Sequence, residues 1–123
     1  MTASLAGKRV LVVEDEYFIA TDLRRALQRL DVAVVGPVGS LEAGLSLAGD
    51  ETLDAAVLDV NLDDRFSYPI ADRLAGRGVP CMFLTGYDGW SLPEQYRDVP
   101  RIAKPFAVQA VVDALERLLA AEG

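Results

Sequence analysis

Five polar residues of this chain each follow or end a short apolar stretch. They are Glu14, Asp15, Asp59, Thr85 and Lys104. A carboxylate held beside an ammonium group can attack phosphorus, while the ammonium and a hydroxyl bind the phosphoryl oxygens. Asp59 ends the apolar run 55–58 and is the natural nucleophile of such a set. The residue types therefore predict a phosphoryl-transfer site in which Asp59 becomes an aspartyl phosphate.

The acids of this set need more positive charge than one lysine supplies. Unit charges about 4 Å apart repel by about 4 kcal/mol at an effective dielectric constant near 20. A bound divalent cation would offset that repulsion. Oxygen ligands with room for water suit Mg²⁺ better than a transition metal. The sequence therefore predicts Mg²⁺ as the cofactor.

Each residue also has a purely structural explanation. The acids at 14–16 would be favoured at the N-terminus of a helix, and Asp59 could be a solvated strand end. Thr85 is a common residue at a strand end, and Lys104 before Pro105 could be a surface charge. These explanations require separate coincidences at the ends of four predicted strands. A shared site explains all of them at once.

Alternating strands and helices are predicted to position these residues. Apolar runs predict strands at residues 8–13, 32–35, 52–59, 79–84 and 99–103. Helices are predicted over residues 17–30, after the capping residue Ser40, from about Pro69 to Ala75 and over 107–121, with at most a short or distorted helix within 86–98. This alternation implies a doubly wound parallel sheet with helices on both faces. Parallel strands end at a common edge, where the five polar residues should meet.

Three local features are also predicted. Gly36-Pro37 is expected to close the second strand, and a polar loop should run from the end of the third strand to Ser67. The inward face of the first helix is predicted to carry Ile19, Leu23, Ala26, Leu27 and Leu30.

Composition limits the possible functions. The 123 residues, half of them hydrophobic and a quarter charged, fit one domain over residues 1–123, with no output domain, signal peptide or membrane span expected. A net charge of −7 without a basic stretch disfavours nucleic-acid binding. The absence of histidine from the sequence excludes Ser-His and Cys-His catalysis and histidine metal sites. The single cysteine, Cys81, is expected to be a buried small hydrophobe, which favours a cytoplasmic location.

The order and spacing of four short motifs resemble the receiver domain of two-component response regulators. The motifs are Val12-Val13-Glu14-Asp15-Glu16, Leu58-Asp59-Val60-Asn61-Leu62, Leu84-Thr85-Gly86 and Lys104-Pro105-Phe106. The resemblance implies a flavodoxin-like (βα)5 fold with sheet order 2-1-3-4-5. It implies that Asp59 takes a phosphoryl group from a phosphohistidine and that Thr85 and Lys104 contact the phosphoryl oxygens. Mg²⁺ would be held by Glu14, Asp15, Asp59 and the backbone carbonyl of Asn61, and the Lys104–Pro105 peptide would be cis.

The segment from Pro80 to Tyr87 narrows the resemblance. It is similar to the single-domain receivers of α-proteobacteria that carry a Phe-Ala-Thr-Gly motif, although Leu84 replaces the alanine. Members of that subgroup are associated with HWE-type kinases and with general stress or related relays. The partner is therefore expected to be a sensor histidine kinase, with the HWE type as a candidate, or a histidine phosphotransfer protein.

The expected readout departs from the family pattern at Arg101. Receivers usually carry Tyr or Phe three residues before the lysine, and that ring turns inward on phosphorylation. Tyr87, Trp90 and Tyr96 could supply a substitute. We therefore predict that phosphorylation reorders residues 86–98 and is read on the surface of the fourth helix, fifth strand and fifth helix.

Three functions remain open at this point. The first is a phosphoacceptor signalling protein, acting as a stand-alone relay or a phosphate sink and catalysing only its own phosphorylation and dephosphorylation. The second is a phosphohydrolase of the haloacid dehalogenase kind, which Asp59-Val60-Asn61 resembles in part. The third is a receiver-like binding module that takes no phosphate. A weak dimer is also left open.

Overall fold

A five-stranded parallel sheet forms the centre of the computed structural model, which describes residues 5–86 and 92–122. Its strands are β1 (Arg9–Val13), β2 (Ala33–Val38), β3 (Ala55–Asp59), β6 (Cys81–Thr85) and β7 (Arg101–Ala103), while β4 (Asn61–Leu62) and β5 (Arg65–Phe66) form a separate hairpin. The sheet order is β2-β1-β3-β6-β7, and neighbouring strands are parallel. This order confirms the flavodoxin-like topology that the family resemblance implied.

Helices cover both faces of the sheet. They are α1 (Tyr17–Arg29), α2 (Leu41–Asp50), α3 (Tyr68–Gly76) and α4 (Val108–Glu122), with a 3₁₀ turn, η1, at Glu94–Tyr96. Alternate residues of the buried strand β3 point to opposite faces. Leu58 packs in the core beneath α2 and α3, whereas Val57 packs in the core beneath α1 and α4. Among the described residues, no helix is long and apolar enough to cross a bilayer.

The second strand is longer than predicted. It continues through Gly36-Pro37 to Val38, and the register with β1 shifts between the pairs at Leu11 and Val13. Because β2 lies at the edge of the sheet, a proline that lacks an N–H group is tolerated there. The prediction that Gly36-Pro37 closes this strand was therefore wrong.

The predicted polar loop contains the hairpin β4–β5. Asn61 pairs with Phe66 in an antiparallel ladder. Asp63 and Asp64 form the turn with φ values of 50° and 70°, the left-handed conformation that tight hairpin turns require. Strands of two residues are too short for an alternating pattern, which is why the sequence predicted only a loop.

Other predicted boundaries also change, and β6 and β7 begin at Cys81 and Arg101 instead of residues 79 and 99. The third strand begins at Ala55, because the Asp54 carboxylate accepts a bond of 2.8 Å from the Arg9 N–H and so takes the place of a ladder carbonyl. Leu30 is the C-terminal cap of α1, not part of its inward face, and is 42% exposed. Within the described residues 92–98, the helix is limited to the 3₁₀ turn at Glu94–Tyr96, as predicted, whereas the prediction for residues 87–91 falls outside the described ranges.

Candidate functional site

Strand register brings the predicted residues together at the carboxyl edge of the sheet. Asp59 pairs with Leu84, so that Asp59 and the next residue of β6, Thr85, reach the edge side by side. The Thr85 carbonyl accepts a 2.7 Å bond from the Lys104 N–H, which fixes the residue that follows β7. Glu14 directly follows β1, and its own N–H donates to the carbonyl of Val38 at 2.9 Å. Sheet geometry therefore confirms the predicted convergence.

Lys104 is the centre of the charge network. Its Nζ lies 2.9 Å from Glu14 Oε1, 3.0 Å from Asp59 Oδ2 and 3.3 Å from Glu16 Oε2. Glu14 and Asp59 are only 3% and 4% exposed, so this ammonium is needed to hold two buried carboxylates in the fold. The peptide between Lys104 and Pro105 is cis, as the resemblance implied.

The protonation of this network reflects its burial. Burial raises the pKa of Glu14 to about 8, and bonds from the Glu16 N–H and Lys104 oppose that rise only in part. Burial also raises the pKa of Asp59 against the opposing effect of Lys104. For Lys104, burial alone would lower the pKa, but the bonds to Glu14 and Asp59 more than offset it and the pKa is raised. The positive charge of Lys104 therefore only partly offsets the cost of burying the charged forms of Glu14 and Asp59.

A divalent cation fits this acid cluster. One carboxylate oxygen from each of Glu14, Asp15 and Asp59 lies within 4.8 Å of the other two. Among the described residues, the donor near the buried Glu14 Oε1 is Lys104 Nζ, which Asp59 and Glu16 also contact. Asp15 is exposed and opens the cluster to solvent. Buried carboxylates that share one ammonium, in an all-oxygen set with an exposed member, form the kind of site that Mg²⁺ prefers.

The loop after Asp59 is tied to the site by its backbone. The Asn61 N–H donates to Asp59 Oδ1 at 3.2 Å, and the Asn61 side-chain oxygen accepts from the Asp64 N–H at 3.0 Å. Asp59 therefore has one oxygen held by the hairpin and the other by Lys104. The predicted role of Asn61 as a carbonyl ligand stays a prediction.

Sequence reasoning did not assign Glu16 to the site. Its backbone N–H donates to Glu14 Oε2 at 2.9 Å, while its side chain reaches Lys104. The contact joins residues 88 positions apart, and nothing in the local sequence signals it. The only sign in the sequence is that Glu16 is the third consecutive acid, for which a helix N-terminus is an alternative explanation.

Of the residues predicted to take part in the readout of phosphorylation, the structure describes Arg101 and Tyr96. Arg101 is exposed at the start of β7, paired with Phe83, and does not reach the acid cluster. Tyr87 and Trp90 lie outside the described residues. Tyr96 is buried in η1, and its hydroxyl donates to Asp72 at 2.6 Å.

Tyr96 belongs to an aromatic stack, which we define as Phe66, Tyr68 and Tyr96. The ring centroids of Phe66 and Tyr68 are 5.2 Å apart, and those of Tyr68 and Tyr96 are 4.6 Å apart, both in stacked geometry. Phe83 packs edge-on against both tyrosines from β6. The aromatic stack therefore links the hairpin after Asp59 to η1.

A family model and two solved structures match this chain over most of its length. The family model of the response regulator receiver domain matches residues 10–116. The solution structure of SdrG from Sphingomonas melonis Fr1 is 41% identical with a TM-score of 0.80, covering 91% of this chain and 96% of that chain. The BeF3-activated conformation of SdrG, from Pseudomonas melonis Fr1, is 38% identical with a TM-score of 0.74, covering 97% of this chain and 99% of that chain.

A curated relative matches over part of its own length. The transcriptional regulatory protein PdtaR of Mycobacterium tuberculosis is 30% identical over 113 residues, which is 89% of this chain and 55% of PdtaR. The chain thus spans about half the length of the curated relatives that it matches.

Proposed function

Because the chain belongs to the response regulator receiver family of two-component signalling, we propose that Asp59 is its phosphoacceptor. The observation that carries the proposal is the buried Asp59 carboxylate, which lies at the carboxyl end of β3 with Lys104 Nζ 3.0 Å from Oδ2. SdrG, a similar chain, has a BeF3-activated conformation, and this supports the proposal. Receiver domains are signalling proteins, not classical enzymes, so the reaction modifies the chain itself.

In the proposed step, a carboxylate oxygen of Asp59 attacks the phosphorus of a phosphohistidine. The O–P bond forms as the P–N bond breaks, and the departing imidazole takes up a proton. Lys104 moves from the Asp59 carboxylate to a phosphoryl oxygen, so its charge follows the transferred group. Thr85, at the end of the adjacent strand, donates its hydroxyl to a second phosphoryl oxygen.

Receiver domains bind Mg²⁺ at an acidic pocket, and here Glu14, Asp15, Asp59 and the carbonyl of Asn61 would hold it. When bound, the ion neutralises charge on the phosphoryl oxygens. Within the chain, the Asn61 N–H on Oδ1 and Lys104 on Oδ2 orient the attacking carboxylate.

Incubation with acetyl phosphate and Mg²⁺ tests the proposal. Intact-mass measurement should show one added phosphoryl group, and chelation of Mg²⁺ should prevent the addition. Sustained hydrolysis of many small phosphate esters would favour the phosphohydrolase instead. If the mass stays unchanged with acetyl phosphate and with every other phosphodonor tried, a binding module that takes no phosphate is favoured.

The proposed phosphodonor is a sensor histidine kinase or a histidine phosphotransfer protein in the cytoplasm. Receiver domains in general interact with such partners. The chain would act as a stand-alone relay or phosphate sink.

An exposed aromatic pair offers contact area for that donor. Tyr17 and Phe18, in the first turn of α1, are 73% and 80% exposed and lie one and two residues after Glu16. Exposed aromatic rings next to a reactive site are frequent anchors of protein interfaces.

Phe18→Ala should therefore slow phosphotransfer from the cognate histidine donor by about five- to thirty-fold, the loss of one anchor side chain. Transfer from acetyl phosphate should be unchanged, because a small donor does not need the ring. Leu30→Ala is the matched control, since it removes an exposed apolar side chain at the other end of α1. Equal slowing by both variants would contradict a local docking role.

We propose further that phosphorylation is read on the surface formed by η1, β7 and α4. The aromatic stack supports this, because Asn61 bonds Asp59 and pairs with Phe66, whose ring begins the stack that ends at Tyr96. Arg101, exposed on β7, carries no ring that could turn inward. The stack would then replace the usual switch aromatic.

Hydrogen exchange with and without beryllofluoride checks this readout. In the unmodified chain, beryllofluoride should change the exchange of amides 94–96 as well as those near Asp59. In Tyr68→Leu, which removes the middle ring of the stack, the change near Asp59 should remain and the change at amides 94–96 should be lost. Tyr17→Leu, which removes an exposed tyrosine outside the stack, should keep both. Persistence of the change at 94–96 in Tyr68→Leu would rule out the stack as the link.

A further inference from the structure

We propose that Glu16 is a positioning residue that holds the Lys104 ammonium at the mouth of the acidic pocket. The inference rests on the proposed phosphoacceptor function and deepens it. Glu16 is the N-terminal cap residue of α1, yet its side chain makes no capping bond to the described helix. Instead, its Oε2 accepts from Lys104 Nζ at 3.3 Å.

The three carboxylates around Lys104 differ in depth. The side chains of Glu14 and Asp59 are 0% and 6% exposed, whereas that of Glu16 is 59% exposed. Glu16 also lines the open pocket that Asp59 and Lys104 line. Glu14 and Asp59 therefore attract the Lys104 ammonium towards the protein interior, whereas Glu16 attracts it towards solvent.

An incoming phosphoryl group must displace carboxylates from the Lys104 ammonium. Lys104 can bond the phosphoryl oxygens only by leaving carboxylates that it now contacts. Glu16 is the contact that faces solvent, where the donor enters, so it competes directly with the phosphoryl oxygens for the same ammonium. Removing its charge while keeping its length should let Lys104 transfer more readily.

Glu16→Gln tests the inference, with Asp63→Asn as the matched control. Asp63 lines the same pocket and loses the same charge, and asparagine suits its φ of 50°. Initial rates of phosphorylation are measured over a range of acetyl phosphate concentrations with Mg²⁺. Glu16→Gln should raise the maximal rate about two- to five-fold, the strength of an exposed ion pair. Asp63→Asn should leave the maximal rate unchanged and alter only the half-saturating donor concentration.

The possible outcomes are distinct. An unchanged or lower maximal rate in Glu16→Gln overturns the positioning role. Equal increases in both variants also overturn it, because they would reflect only the general charge of the pocket. If the unmodified chain takes up no phosphoryl group at all, the proposed function itself fails. Uptake by the unmodified chain with no response to Glu16→Gln rejects only the inference.

Discussion

Asp59→Asn should take up no phosphoryl group from acetyl phosphate under conditions in which the unmodified chain gains one. The amide keeps the size of the side chain but lacks the anionic oxygen that attacks phosphorus. The fold should survive, because burial already disfavours charge at this position, as the raised pKa of Asp59 indicates. Intact-mass spectrometry measures the uptake.

Asp63→Asn is the matched control for this variant. It makes the same chemical change on a carboxylate that lines the pocket but forms no part of the acid cluster. With saturating acetyl phosphate, the uptake of Asp63→Asn should equal that of the unmodified chain. Phosphorylation of Asp59→Asn to a comparable extent would show that another residue is the acceptor.

Lys104→Met should lower the maximal rate of phosphorylation by about 100- to 1000-fold, the usual loss when one transition-state contact is removed. Methionine keeps most of the aliphatic stem but cannot follow the transferred group with a positive charge. Stabilisation by Mg²⁺ should persist or increase, because the ammonium no longer competes for Glu14 and Asp59. Labelling rates and the Mg²⁺-dependent shift in melting temperature separate the two effects.

Lys8→Met is the control, since Lys8 and Lys104 are the two lysines of the sequence. It should change neither the labelling rate nor the response to Mg²⁺. If Lys104→Met labels at the normal rate, the ammonium serves only to hold buried acids in the fold. Loss of both labelling and the Mg²⁺ response would mean that the site no longer assembles.

The residues at strand ends could be predicted from sequence because two simple rules place them. An apolar run marks each buried strand, and parallel strands end at a common edge. Both rules apply to Glu14, Asp59, Thr85 and Lys104. Their convergence at one edge of the sheet could therefore be predicted without knowledge of side-chain contacts. The sheet order itself came from the family resemblance.

Features that depend on long-range contacts could not be predicted in this way. The bond from Lys104 to Glu16 spans 88 positions and involves an exposed side chain, for which hydrophobic patterns carry no information. The aromatic stack depends on how α3 and η1 pack together. The path of β2 through Pro37 follows from its place at the edge of the sheet, which the local sequence does not encode.

The aromatic stack also gives the protein its own optical signal. The ring centroids of Tyr68 and Tyr96 lie 4.6 Å apart in stacked geometry, which is an asymmetric setting for both rings. Near-ultraviolet circular dichroism responds to aromatic rings held in such settings and disappears when tertiary packing loosens. Unlabelled protein can therefore be followed by circular dichroism, and the part of the aromatic band that is lost in Tyr68→Leu should report on the contact between the hairpin and η1.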